Sequence, residues 1–380
     1  MMKKKNEFQF SKKMTSQAKG LAILLMVYHH LFTFPDRISS VDYAPLMMFN
    51  GQPLDQLIGA FGKICVSIFL FTSGYGLYQN FLKNNSFTFK VSLKKIIQFL
   101  KTYWIIFIIF IPIGLIWFHN QPRYVFNLKN FLLNFTSLTN TYNREWWFVP
   151  LYLELIIIFP ILIKLIEKIP LIVNYLSFIS LFFAGFFQNA ILLFPNNILI
   201  QLLMNHLSVL LLWQVVFIVG IYFSKYSVFE KINQFLNRLK LENILFYLIV
   251  LFICFYIRQF TLPWIIEVRG AKISGIYTYA DFILTPILIF SFVKIVSYTN
   301  IFSKLFATLG KHSNNIWLTH TFFIYYYYQK IIFLPYFSIL IVGWVFILTI
   351  VVSICVNFIS NKINFLDIKK QSTVNKSLLH

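Results

Sequence analysis

Apolar runs of about 20 residues recur along this chain from one end to the other, and that recurrence narrows the fold to one class. A run of that length crosses the hydrocarbon core of a bilayer as an α-helix, at about 1.5 Å of rise per residue over about 30 Å. The segments read at 19–35, 57–82, 96–118, 146–166, 170–191, 198–223, 243–262, 279–297, 313–334 and 336–358. The chain is 58% hydrophobic and only 12% charged, which leaves no stretch for a sizeable soluble domain. The expected fold is all-α, a polytopic transmembrane bundle of about ten spans. A basic tail at 1–18 precedes the membrane domain at 19–358, and a second basic tail follows at 359–380. No small-residue cleavage site follows the first run, so it reads as a retained helix and not as a signal peptide.

Net charge is +21, which in a soluble chain would point to nucleic acid. Here the cations cluster between apolar runs, in every second connection. Lys3, Lys4, Lys5, Lys12 and Lys13 come first, then Lys83, Lys90, Lys94 and Lys95, and later Lys225, Lys231, Arg238 and Lys240. The alternate connections are poorer in cations and hold Asp36, Asp42, Asp55, Glu145 and Glu267. The positive-inside rule then puts both termini in the cytoplasm of a multi-pass cell-membrane protein. Its expected partners are membrane lipids and not nucleic acid. Cys65, Cys254 and Cys355 all fall in apolar segments without metal or redox spacing, so they read as buried free thiols, and no metal site is expected.

Ionisable residues inside such segments are costly and mark functional candidates. The first run carries Lys19, His29 and His30. Lys19 and His30 are eleven positions apart, which at about 100° per residue places both on one helix face, about 16 Å apart along the axis. His29 points about 80° away from Lys19. Glu154, His206 and His320 fall at similar mid-span depth, which would let them converge on one polar cavity, or make one interhelical hydrogen bond each. Lys63 would take a partner such as Glu154 or Asp55. Arg258 and Asp281 lie near span ends, where side chains snorkel to the surface. The run Tyr325-Tyr326-Tyr327-Tyr328 reads as an interfacial belt. The group Lys90, Lys94, Lys95 and Lys101 suits either an anionic nucleotide-like cofactor or anionic lipid headgroups.

Lys19-x10-His30, the stretch from Phe69 to Tyr75, the basic loop at 89–98, the segment from Trp147 to Pro160 and the run from Gly310 to His320 form five motifs in register, and together they resemble the membrane acyltransferase type 3 family, mostly bacterial O-acetyltransferases of surface glycans. The first span resembles its Arg-x10-His signature, with Lys19 in the arginine place and His30 as the histidine. Phe69-Leu70-Phe71-Thr72-Ser73-Gly74-Tyr75 is similar to its Phe-rich stretch ending in Ser-Gly-Tyr/Phe. The loop at 89–98, with Lys94 and Lys95, is similar to its basic motif, again with lysine for arginine. The segment from Trp147 to Pro160, with Glu154, resembles its Trp-to-Pro segment. Gly310 to His320 resembles its late Gly-x-x-Ser…Leu-x-His motif.

The resemblance implies O-acyl transfer: an acetyl group would pass from cytoplasmic acetyl-CoA, a co-substrate and not a bound cofactor, to a hydroxyl of a cell-surface glycan or lipid-linked sugar. Lys19 would hold the donor's phosphates or carbonyl. His30 would act as general base or transient acyl carrier, and Glu154 would orient the imidazole or stabilise its cation. Ser73, Tyr75, Lys94, Lys95 and His320 would complete the donor and substrate contacts. A glycolipid or anion transporter would also use buried ionisable groups near the midplane, but no paired repeats or matched broken helices are present.

Overall fold

The computed structural model describes residues 8–38, 41–264 and 276–377. Lys3, Lys4, Lys5 and Glu267, which entered the charge argument, lie outside the described residues. The described residues are overwhelmingly helical, with almost no strand. In chain order, α1 spans Lys12–Phe32, α2 Leu54–Gly62, α3 Cys65–Asn84, α4 Phe89–Trp117, α5 Leu128–Phe135, α6 Phe148–Lys168 and α7 Pro170–Ala190. There follow α8 at Ile198–Lys225, α9 at Val228–Arg238, α10 at Ile244–Tyr256, α11 at Ile276–Ser297, α12 at Asn300–Thr321, α13 at Gln329–Phe333 and α14 at Ser338–Ser377. A two-residue antiparallel pair, β1 Met48–Phe49 with β2 Gln52–Pro53, precedes α2.

Local chemistry sets several helix starts. Ser11 accepts a hydrogen bond from the Met14 amide, and Asn127, Asn197 and Asn243 do the same for α5, α8 and α10. Two π-helical turns interrupt regular helix, at Ile257–Thr261 and Phe322–Tyr326. Such turns widen the backbone and are frequent at functional sites.

Among the described residues seven helices are long and apolar enough to cross a membrane, or up to eight with the bent pair Pro170–Leu181 and Phe183–Leu193. The expected ten included two segments outside this set, 19–35 and 313–334. Both are diluted by polar residues. The first carries Lys19, His29 and His30, and the second is continuous with Lys311-His312-Ser313-Asn314-Asn315 on α12.

The chain forms two compact units. The first comprises Met1–Phe34, Pro45–Ser92 and Pro150–Ser313. Its helices are drawn together by glycines facing bare backbone. A Cβ at Gly74 on α3 would collide with the Phe217 carbonyl of α8, and one at Gly220 on α8 would collide with the Phe71 carbonyl of α3. The same reciprocity joins α1 and α12, where Gly20 meets the Phe306 carbonyl and Gly310 meets the Ser16 carbonyl. Small residues at such crossings allow close backbone approach, the usual basis of helix association in lipid.

The first unit also corrects the expectation that Arg258 and Asp281 reach the surface. They form an internal ion pair at 2.8 Å, with side chains 1% and 0% exposed. Arg258 also donates to the carbonyls of Ala60 and Phe61 at the end of α2, and Ser67 donates to Asp281. The π turn carries Arg258 to the end of α2, where its guanidinium joins the Lys63 and Ile64 amides as a further donor to those two carbonyls. Lys63 has Arg258 and Asp281 as its electrostatic neighbours, while Asp55 accepts from the Leu46 amide. Cys65 and Cys254 are buried as expected, but Cys355 is exposed.

The second unit comprises Pro35–Ala44, Leu93–Val149 and Asn314–His380. Trp146 centres its aromatic core, against Tyr103 at 4.9 Å and Phe322 at 5.5 Å, with Phe110 stacked on Phe322 at 4.7 Å.

Candidate functional site

In the first unit α1 carries both histidines, and the structure gives them different surroundings. His29 Nδ1 lies 2.9 Å from the Gly59 carbonyl of α2 and 3.1 Å from Thr33 Oγ1. A carbonyl only accepts, so Nδ1 holds the proton and donates to it, and His29 fastens α1 to α2. The His30 ring lies 5.0 Å from that of His29 and stacks on Phe34 at 6.4 Å. His30 is half-buried, as is Lys19 on the same helix.

A cavity of about 840 Å³ opens at the N-terminal end of α1. Lys12 and Lys19 from the start of the chain and Lys83 from the end of α3 are its cations; Tyr75, Ser16 and Gly310 also line it. Its wall is tied in place. The Phe10 amide donates to Glu230 Oε1 at 2.9 Å, and the Phe10 ring packs edge-on against Tyr75 at 5.1 Å. The Ser16 hydroxyl donates to the Ala307 carbonyl at 2.8 Å. Tyr75 is buried and shares a hydrogen bond with Gln79. The volume suits a large ligand, and three ammonium groups suit an anionic one.

Two further expected residues belong to this unit. Ser73 is half-buried and shares a hydrogen bond with the Tyr152 hydroxyl. Glu154 places Oε1 2.5 Å from His206 Nδ1, so the sixth-span histidine is the imidazole it holds. The chain therefore brings together Lys19 and Tyr75 at the cavity and pairs Glu154 with His206.

Lys94, Lys95 and His320 belong to the second unit. Lys94 is exposed and Lys95 half-buried on α4. His320 is fully buried, with Nδ1 2.8 Å from the Trp317 carbonyl and 3.0 Å from the Ile316 carbonyl. Nδ1 therefore carries the proton and Nε2 is the basic nitrogen. Glu145 lies within electrostatic reach of His320. Its carboxylate accepts from Arg37 Nη1 at 2.8 Å and from the Tyr326 hydroxyl at 2.5 Å. Partial burial works against the Arg37 charge, but Glu145 and Tyr325 outweigh it and raise the guanidinium above its ordinary value. The tyrosine run is thus no simple belt. Tyr326 is buried on Glu145, Tyr327 donates to the Phe110 carbonyl at 2.6 Å, and Tyr328 alone of the four is exposed.

The Glu145 network escaped the sequence reading because Arg37 and Glu145 sit in connections, where charge reads as solvated. The π turn that swings Tyr326 inward leaves no signal in composition. Lys12 and Lys83 were read for orientation alone, since their approach depends on the α1–α12 and α3 packing. Among the described residues no group of three or more His, Cys, Asp or Glu is placed to hold a metal ion.

A family model, the acyltransferase domain of the acyltransferase 3 family, matches residues 16–358. The comparisons with curated proteins and with solved structures gave no match.

Proposed function

The chain belongs to the acyltransferase 3 family and is a membrane acyltransferase, and from that premise we propose that it moves an acetyl group from acetyl-CoA to a hydroxyl of a cell-surface glycan or lipid-linked sugar. The observation that carries the donor assignment is the basic cavity. Lys19 stands in its wall and His30 lies on the same helix, eleven residues further on. Phosphates held by Lys12, Lys19 and Lys83 would leave an extended thioester arm directed along α1 toward the imidazole. Tyr75 offers a ring at the cavity wall, and Ser73 a hydroxyl on the same helix.

His30 is the group assigned to the thioester, as general acid–base or as transient acyl carrier. Lys94 and Lys95, in the basic motif, are assigned to additional phosphate contacts, and His320 to a substrate contact through Nε2. By the positive-inside rule the cavity mouth would face the cytoplasm, where acetyl-CoA is made available. Purified protein in detergent, given acetyl-CoA labelled in the acetyl group and an extract of envelope glycans, should place label on a glycan hydroxyl. Movement of unmodified glycolipid across a vesicle without label transfer would replace the enzyme by a transporter.

A further inference from the structure

The basic cavity has two matching walls. From α1 it takes Lys12, Ser16 and Lys19, and from α3 it takes Gly76, Asn80 and Lys83. Each set has the i, i+4, i+7 spacing of one helix face. The two helices run in opposite directions: His29, late in α1, meets Gly59 ahead of α3, while Lys12 and Lys83 share the cavity. Lys12 and Lys83 therefore mark the mouth. Lys19 and Gly76 lie seven positions further in on each helix, about 10 Å deeper, on the side nearer His30.

Most of this lining has a reason within the fold. The Ser16 hydroxyl is spent on the Ala307 carbonyl, and Tyr75 is held by Gln79 and the Phe10 ring. Gly310 is a glycine because the Ser16 carbonyl lies where its side chain would be. Gly74 is shut against the Phe217 carbonyl. Gly76, two positions on, differs from both: among the described residues a Cβ there meets nothing within 4 Å. Glycine inside a helix is less stable than alanine, and no close crossing offsets that loss at Gly76. Gly343 is equally open, but it does not line the cavity. The bare main chain at Gly76 thus borders space that belongs to the cavity and not to a neighbouring helix.

We propose that Gly76 is a positioning and specificity residue for the acyl donor, an inference that rests on the donor reading above. The unbranched pantetheine arm of acetyl-CoA passes over the α3 main chain at Gly76 on its way from the lysines to His30. A side chain at that position would stand in its path. The slender arm of a CoA thioester fits where a bulkier linker would not.

The test adds side chains to the open space in purified protein. Gly76→Ala and Gly76→Leu are compared with Gly343→Leu, which makes the same addition away from the cavity. Without ligand, both Gly76 variants should melt at or above the wild-type temperature. The Michaelis constant for acetyl-CoA should rise about 10-fold or more in Gly76→Leu, the order of effect that overpacking a filled site produces. It should rise less in Gly76→Ala and hold its wild-type value in Gly343→Leu. The kcat at saturating donor should change little, since Gly76 touches no reacting atom. Free CoA should raise the melting temperature of wild type and of Gly343→Leu, but not of Gly76→Leu. Wild-type donor dependence in Gly76→Leu, or a loss confined to kcat, overturns the proposal. A melting temperature well below wild type in Gly76→Leu also overturns it, because the space would then belong to the fold. The same rise in Gly343→Leu overturns it as a non-specific effect. Wild-type protein that CoA does not stabilise overturns the donor reading itself, whatever the Gly76 variants do.

Discussion

His29 and His30 are neighbours in sequence and divided in role. His29 is committed to the Gly59 carbonyl, whereas His30 shares a helix with the lysine in the cavity wall. His30→Ala should therefore reduce acetyl transfer by about 100-fold or more. His29→Ala should chiefly cost stability, about 0.5–1.5 kcal/mol for one hydrogen bond. Steady-state transfer and thermal melting, measured on both variants, check the division, and an inactive His29→Ala beside an active His30→Ala would reverse it. Helical spacing alone separated these two. The same arithmetic gave the depth of Glu154 but not its partner, because depth along a helix says nothing of which neighbour it faces. Arg258 and Asp281 show the limit more sharply: position near a span end suggested exposure, yet a π turn closes them on each other. Removing one partner of a buried ion pair typically costs about 3–5 kcal/mol. Asp281→Ala should accordingly give a large loss of thermal stability, and a melting temperature equal to wild type would deny the pair its structural role.

At the scale of elements, two helix pairs are held at backbone distance by glycines. Gly74 of the Ser-Gly-Tyr motif meets the main chain of α8. Its counterpart Gly220 stands in no motif and was invisible without the packing. Gly74→Leu or Gly310→Leu should prevent correct assembly, since overpacking costs about 1–3 kcal/mol even where neighbours can adjust and here the neighbour is main chain. Gly185→Ala and Gly343→Ala, whose added methyl meets nothing, serve as controls. Size-exclusion profiles of the four proteins should split two and two; a monodisperse Gly74→Leu protein would contradict the crossing. The cavity between α1 and α3 yields its own prediction. Lys12→Gln with Lys83→Gln should raise the Michaelis constant for acetyl-CoA with little change in melting temperature. Lys94→Gln with Lys95→Gln, assayed beside it, reports whether the basic motif adds phosphate contacts; unchanged donor dependence there would return those lysines to a topological role.

For the whole molecule, the all-helical membrane class was readable from apolar run length alone. The count was less so. The two segments outside the apolar set carry Lys19, His30 and His320, so there the composition that points to chemistry weakens the signal for a span. Reporter fusions at Asn130 and at His380 address this directly. With ten crossings the two positions lie on opposite membrane faces, and reporters on the same face would remove a crossing between them. Both chain ends are expected on the cytoplasmic side, so a reporter ahead of Met1 should agree with the one at His380.

The tie between the Phe10 amide and Glu230 spans 220 positions, and that between Ser16 and Ala307 spans 291. One rim of the cavity is thus made from residues 9–19, while the groups that clamp it lie more than 200 positions further along the chain. A chain cut before residue 230 would hold the signature helix and lack both clamps of that rim.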